Sequence, residues 1–491
     1  MRFLSCSILL AVIFSACQSA TTEESQRPPN VLFILVDDMG YGDISAFNAD
    51  SKIPTPALNQ LAEEGMRFTD AHAPAAVCVP SRYGLMTGRY PIRRTGVFEG
   101  SWIEPNRQTL AGLLSENGYH TACIGKWHLG MGENEKNPGL DGPASDGRLT
   151  SGPVDRGFDY FYGIPASLDI PPYYYIENDQ VVDLPTDSIG DSNTPGISPI
   201  QGAFWRGGKM SPGFNHQEVL PHLTQKSLEF LQSHQESSEQ PFFLYMALPA
   251  PHTPWLPLEA FEGKSQAGMY GDFTYQVDQS IGQVLDYLEE SGIEEETLVF
   301  FSSDNGPVWF AEDVEKYGHS SVGALAGMKG DAYEGGHRMP FVVRWPGRIP
   351  ANSESSQLVC FTDMMATLAD LLNVSLDQAT NAEDSYSFLP VLLGGNEPHT
   401  LRDELLVESV YGLHAMRLGD WVYINGTGPG GFSWGYPRPQ GDPQDGPPQL
   451  FNLSEDLGQQ QNIIDQEPGV ASMLEQKLNN YLSIREKMAV R

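Results

Sequence analysis

The feature that most constrains this chain is a run of six apolar residues, Val31-Leu32-Phe33-Ile34-Leu35-Val36, that stops abruptly at Asp37-Asp38. A run with no polar alternation cannot have one wet face. It reads as a strand covered on both sides, the habit of parallel sheets. The same texture returns at 121–124, 242–247, 297–301 and 341–344, with helical patterns at 55–64, 109–117, 222–232 and 273–290 between the strands. Parallel strands need crossover connections of this kind. The expected fold is therefore α/β, a mostly parallel sheet with helices on both sides. Past residue 395 the pieces shorten and alternate, at 405–410, 415–418, 421–424 and 449–453, before a closing helix over 467–485. That pattern predicts a small antiparallel sheet capped by a helix. Stretches rich in Gly, Asp, Pro and Asn at 131–155, 177–216 and 426–448 have no periodicity and read as long loops.

The amino terminus carries Met1-Arg2, a short apolar run from Ile8 to Phe14, and Ser15-Ala16-Cys17. A basic start, a short apolar segment and small residues before a cleavage point make an export signal. Ser15-Ala16-Cys17 also resembles a bacterial lipoprotein box, in which Cys17 carries the lipid. The expected organisation is a signal at 1–17, a linker at 18–29, a large domain at 30–390 and a C-terminal subdomain at 391–491. The expected location is the periplasm or cell surface, with the chain held at a membrane through Cys17. Only Cys78, Cys123 and Cys360 remain after the signal. An odd remainder in an exported chain is no disulfide framework. Cys123 and Cys360 sit in apolar contexts and read as core, which leaves Cys78 to explain.

The 491 residues carry 29 basic and 63 acidic side chains, a net charge of −34. Such a surface repels nucleic acid, so nucleic-acid binding is excluded as a function class. An anionic substrate would need the few cations gathered locally.

Acidic pairs follow two of the predicted strands, Asp37-Asp38 and Asp304-Asn305. In open parallel sheets the carboxyl ends of the strands face the ligand crevice. Four oxygen-bearing side chains meeting there, without His or Cys in the motifs, suit Ca²⁺ or Mg²⁺ rather than zinc. Taken singly, either pair is more simply a turn or a helix cap. Pro80 suits the start of a helix, which would put Cys78 at a helix N-terminus, where oriented amides favour an anion. Arg82 lies about one turn further and can reach back. Lys126 and His128, two apart in an extended segment, would share one side.

The segment Cys78-Val-Pro-Ser-Arg82-Tyr-Gly-Leu-Met-Thr-Gly-Arg89 resembles the signature of the formylglycine-dependent type I sulfatases, members of the alkaline phosphatase superfamily. Every fixed position of that signature is present. Asp37-Asp38-Met-Gly-Tyr-Gly and Ser303-Asp304-Asn305-Gly306 resemble the family's metal motifs, Gly125-Lys126-Trp127-His128-Leu129-Gly130 its second signature, Pro251-His252 its substrate histidine, and Gly327-Met328-Lys329-Gly330 its final lysine motif. The resemblance covers nearly everything after residue 29. It implies an alkaline-phosphatase-like fold and one Ca²⁺ held by Asp37, Asp38, Asp304 and Asn305. It also implies conversion of Cys78 to formylglycine by a separate maturation enzyme, with Arg82, Lys126, His128, His252 and Lys329 completing the catalytic set. The implied activity is hydrolysis of sulfate esters, with a sulfated carbohydrate as the expected substrate. Two alternatives remain from the sequence: a phosphoester or phosphonate hydrolase of the same superfamily, and a lipoprotein that binds sulfated glycans without cleaving them. His216, His222, His319, His337 and Arg206 are further candidates for the substrate side, each more simply a satisfied core or surface residue. Trp309 and Phe310 are candidates for stacking on a sugar ring, or a packed aromatic pair.

Overall fold

The computed structural model describes residues 27–94, 101–131, 143–144, 146–198, 200–378, 380–395 and 401–489. The expected signal and most of the linker lie outside the described residues. Ten strands form the main sheet, in the order Ser353–Ser355, Met66–Phe68, Phe341–Arg344, Thr297–Ser303, Asn30–Asp37, Phe242–Pro251, His120–Lys126, Tyr160–Ile164, Ile176–Glu177 and Gln180–Val181. The strand Asn30–Asp37 is central and pairs in parallel with both neighbours, Leu32 standing opposite Leu244 on one side and Val299 on the other. Parallel pairing continues through His120–Lys126 to Tyr160–Ile164, beyond which the pairs are antiparallel; on the other side Phe341–Arg344 is antiparallel to both its neighbours, and Ser353–Ser355 closes that edge in parallel with Met66–Phe68.

The uninterrupted apolar run is explained by what covers it. Val31, Phe33 and Leu35 enter a core shared with the helices Cys78–Thr87, Leu110–Glu116 and Met364–Leu371. Leu32, Ile34 and Val36 enter a second core under the helices Pro56–Glu64, Val219–Ser237 and Gly268–Glu290. All six side chains are fully buried, and each such burial contributes roughly 1.5–3 kcal/mol. Polar residues on either face would have lost one helical layer.

Four antiparallel strands, Glu404–Glu408, His414–Leu418, Trp421–Ile424 and Gln449–Asn452, make the small sheet. The last helix, Pro468–Ala489, seats Leu474 and Leu478 in its core, together with Tyr90, Ile92 and Leu358 from the main body. The small sheet thus shares its core with segments of the main body that lie outside the large sheet. The stretch 177–216 is less irregular than its composition suggests: Gln180–Val181 extends the main sheet, and Asp187–Ile189 pairs with Gly208–Met210. Strands of two or three residues are too short to leave a periodic signal. Among the described residues, no helix is long and apolar enough to cross a membrane.

Candidate functional site

Because the central strands are parallel, their carboxyl ends open on one edge, and the polar residues that follow them converge there. Asp37 ends the middle strand, and Asp38 follows in a left-handed conformation, φ 64°. A non-glycine residue held there is strained, a condition that clusters at functional sites. Asp38 is fixed from three sides. Its N–H points to Asp304 Oδ1 (3.4 Å), its carbonyl accepts from the Tyr270 hydroxyl (3.2 Å), and its Oδ1 accepts from Asn305 Nδ2 (2.6 Å). Asp304 and Asn305 come from the loop after Thr297–Ser303. The four oxygen-bearing residues predicted from sequence therefore do meet.

Cys78 opens the helix Cys78–Thr87, with Val77 as a cap that offers no side-chain acceptor. Pro80 is the third helical residue rather than the first. One turn on, Arg82 is fully buried and donates through Nε to Asp304 Oδ2 (2.9 Å) and through Nη1 to the Lys126 carbonyl (3.0 Å). Lys126 ends its strand with Nζ 2.5 Å from Asp37 Oδ2. Gly125 lets that strand end close tightly, since a Cβ there would stand 1.8 Å from the Ala247 carbonyl oxygen. His128 reaches the same side as Lys126, but by a left-handed turn, φ 55°, rather than by the extended alternation expected. Its Nδ1 lies 3.3 Å from Cys78 Sγ. Lys329 places Nζ 2.6 and 2.8 Å from the Asp38 carboxylate oxygens. His252 Nδ1 hydrogen-bonds the Thr253 carbonyl at 2.6 Å, which leaves Nε2 facing Asp38 Oδ2 at 3.7 Å.

The electrostatics follow from three buried carboxylates among three buried cations. Burial alone would raise Asp37, but Lys126, His252 and Arg82 overcome it and hold the carboxyl well below its usual range. Burial and the charge of Asp37 push Asp304 up to about 6, in spite of Arg82. Burial raises the Cys78 thiol against the pull of Lys126 and Lys329. A plain thiol here stays protonated at neutral pH and is a poor nucleophile. Burial, then Lys126 and Arg82, push His128 well below the ordinary histidine range, so it is neutral and able to take a proton.

Two buried oxygens in this cluster have no hydrogen-bond partner, Asp37 Oδ1 and Asn305 Oδ1. Ligand atoms of Asp37, Cys78 and Asp304, and of Asp37, Asp38 and His252, gather within 4.8 Å of one another. Unfilled carboxylate and amide oxygens in a dry site fit a hard divalent cation. With the three carboxylates balanced by Arg82, Lys126 and Lys329, such a cation would turn the site positive inside a protein of net charge −34.

The other sequence candidates divide. His319 is bound to Asp43 (2.8 Å), His337 to His72 (3.0 Å) and His222 to the Tyr162 hydroxyl (2.8 Å), so each is satisfied within the fold. Cys123 and Cys360 are buried free thiols. Trp309 is buried against Trp255, Tyr270, Tyr317 and His319, a packed residue rather than an open platform. It lines a cavity of about 420 Å³ that contains none of the ten residues predicted for the site. His216 differs, because its buried Nε2 has no partner. Its ring stacks on Trp205 at 4.9 Å, beside Arg206, whose Nη1 lies 2.5 Å from Asp169 Oδ2. Asp169 escaped the sequence reading, and its Oδ1 is also buried without a partner. The rule that drew attention to Asp37 and Asp304 does not reach it, since it stands five residues beyond Tyr160–Ile164, a strand absent from those read in the sequence. The Pro165 carbonyl of the same segment accepts from the His128 N–H at 3.0 Å.

A family model described as Sulfatase matches residues 29–374. An N-acetylgalactosamine-6-O-sulfatase of Bacteroides thetaiotaomicron is 34% identical over 494 residues, covering 93% of this chain and 94% of that protein. Human arylsulfatase A is 31% identical, covering 89% of this chain and 84% of that protein. Among solved structures, one described with the metabolism of multiple glycosaminoglycans by Bacteroides thetaiotaomicron is 33% identical, with a TM-score of 0.79 over 94% of this chain and 100% of that one. The chain belongs to the sulfatase family, enzymes that hydrolyse sulfuric esters.

Proposed function

We propose that this enzyme removes sulfate from a sulfated carbohydrate, using residue 78 in its formylglycine form and one Ca²⁺. The observation that carries the reading is the pair of buried, unpartnered oxygens on Asp37 and Asn305, in a cluster that also gathers Cys78, His128 and the two lysines. Asp37, Asp38, Asp304 and Asn305 would hold the Ca²⁺. When bound, it supplies positive charge to the sulfuryl oxygens and to residue 78. Oxidised to the aldehyde and hydrated, residue 78 offers one hydroxyl to attack sulfur and a second through which sulfate is later expelled. Arg82, locked on Asp304 and the Lys126 carbonyl, fixes the start of the helix that carries residue 78. Lys126 and Lys329 exchange their carboxylate partners for the sulfuryl oxygens, where negative charge grows in the transition state. His252, oriented through Nδ1, presents Nε2 to protonate the departing oxygen. His128, kept neutral, accepts a proton at the position of Cys78 Sγ.

A carbohydrate leaving group is supported by the names of the relatives and by Asp169 Oδ1 and His216 Nε2. These are a buried acceptor and a buried ring nitrogen without partners, and Asp169 follows Pro165, whose carbonyl accepts from the His128 N–H. Hydroxyl groups of a sugar would satisfy both. The amino-terminal signal supports export and anchoring through Cys17, and Cys17→Ser should release the protein from the membrane fraction.

The test is sulfate release from defined sulfated sugars, with and without a calcium chelator, alongside mass spectrometry of the peptide containing residue 78. Activity that falls with chelation and returns with Ca²⁺, together with an aldehyde at residue 78, is expected. Full activity with an intact thiol at that position, or faster turnover of aryl phosphate than of aryl sulfate, would overturn the proposal.

A further inference from the structure

Asp331 is a fully buried carboxylate that the reaction above does not use. It lies two residues past Lys329, on the turn that delivers that lysine. Its oxygens accept from the Met328 N–H (2.7 Å), from the Ser433 N–H (3.2 Å) and from the Ser433 hydroxyl. Ser433 belongs to a loop between the last two strands of the small sheet. Burial pushes the Asp331 carboxyl up to about 7, and among the described residues no cation forms an ion pair with it. A residue this costly to bury is held for what it ties together.

What it ties is the lysine turn. The Lys329 N–H donates to the Pro307 carbonyl (2.8 Å), just beyond the Asp304-Asn305 pair, and the Gly330 N–H to the Ala76 carbonyl (2.7 Å), two residues before Cys78. On the other side the Gly330 carbonyl accepts from the Val410 N–H (2.9 Å), and the Ala332 N–H donates to the Pro429 carbonyl (2.7 Å). Gly330, φ 86°, meets Gly431 backbone to backbone, where a Cβ on Gly431 would stand 2.1 Å from the Gly330 carbonyl carbon. Among the described residues, Asp331 is the one side chain that bonds both the lysine turn, through Met328, and the loop, through Ser433.

We infer that Asp331 and Ser433 are positioning residues for Lys329, so that the loop around Ser433, between two strands of the small C-terminal sheet, helps to set the catalytic lysine on its turn. The inference rests on the reading of Lys329 as a group that meets the ester. A thermodynamic cycle tests it, because residues acting through one another are non-additive whereas independent structural damage multiplies. Asp331→Ala, Ser433→Ala, Lys329→Ala and the two double variants are assayed with an activated aryl sulfate, and melting curves are recorded for each. Asp331→Ala should lower kcat about tenfold with little change in KM, and Ser433→Ala about threefold, as expected for weakened transition-state contacts. On the Lys329→Ala background both should have almost no further effect. Asp331→Asn, which keeps one acceptor oxygen, should recover part of the loss. An equal loss on both backgrounds, or no loss from either single variant, overturns the inference. Should Asp331→Ala not fold, Ser433→Ala, which removes only a hydroxyl from a loop, decides the matter by the same cycle. Full activity of Lys329→Ala would instead refute the role of the lysine itself, and the inference with it.

Discussion

Two clusters of buried charge in this protein are made from the same kinds of side chain and have opposite characters. Around the candidate site stand Asp37, Asp38 and Asp304 with Arg82, Lys126 and Lys329. Between the two sheets stand Asp70 and Glu334 with His72, His337, Arg338 and Arg417. Both present carboxylate and other donor atoms spaced as a metal would need them. In the second cluster, Arg417 grips Asp70 through two nitrogens at 2.7 and 2.8 Å, and Asp70 also meets His72 at 2.8 Å. Glu334 is paired with Arg338 at 3.2 Å and Arg417 at 3.6 Å. None of these side chains has an unpartnered buried atom, whereas the site cluster leaves Asp37 Oδ1 and Asn305 Oδ1 open. Donor spacing alone does not make a metal site. The difference is satisfaction: guanidinium groups already occupy the place a cation would take, so the second cluster is a staple and the first is a socket.

The largest break in that comparison should come from Asp37→Ala. It removes an open oxygen and the partner of Lys126, so activity should fall on the order of a thousandfold. Ca²⁺ should no longer raise the melting temperature, while the fold persists. Calcium titration followed by melting reads the binding apart from the rate, and retained Ca²⁺ stabilisation would remove Asp37 from the metal site. Arg417→Ala should act the other way. It takes from Asp70 its two-nitrogen grip and from Glu334 one of its two guanidinium partners, leaving only Arg338 and His72 beside them, and breaking such a buried pair costs about 3 kcal/mol. A fall in denaturant midpoint is expected, with the chelator lowering it by the same further amount as in the wild type, and a stability loss under about 1 kcal/mol would class this cluster as incidental.

The contrast also explains what was legible in the sequence. Strand-end carboxylates, the Cys78 segment and the lysine motifs announce themselves because catalysis demands fixed residue types at fixed spacing along one segment. The central sheet announces itself because burial on both faces erases polar alternation from 31 to 36. The staple could not be read, since Asp70, Glu334 and Arg417 come from three segments and each alone is an ordinary charged residue. Asp169 and Asp331 were hidden for the same reason: their significance lies in which partners they lack or share, and that exists only once distant loops meet. The turn at His128 was misread as extended because nothing in Lys126-Trp127-His128 signals a left-handed residue.

The smallest effect expected, and the one that sharpens the comparison most, is on acid stability. Burial depresses both histidines of the staple, His337 to about 3 and His72 below its ordinary value. In the unfolded chain both titrate near 6.5. Below that pH the unfolded state therefore binds more protons than the folded one, so stability is complete above about pH 6.5 and is lost as pH falls toward the folded values. Each buried neutral histidine contributes a slope approaching about 1.4 kcal/mol per pH unit in that window. Glu334, held down to about 2 mainly by His72 and Arg417 against the effect of burial, adds its own loss only below the ordinary glutamate range near 4.5. Between pH 6.5 and 4.5 the histidines dominate the staple. His128 and His216 are also depressed by burial and add to the slope, so the informative quantity is the difference between wild type and His337→Gln. Urea midpoints measured from pH 7.5 to 5.0 should fall less steeply in the variant, and parallel curves would mean that His337 is already charged in the folded protein and that the staple is not neutral at its centre.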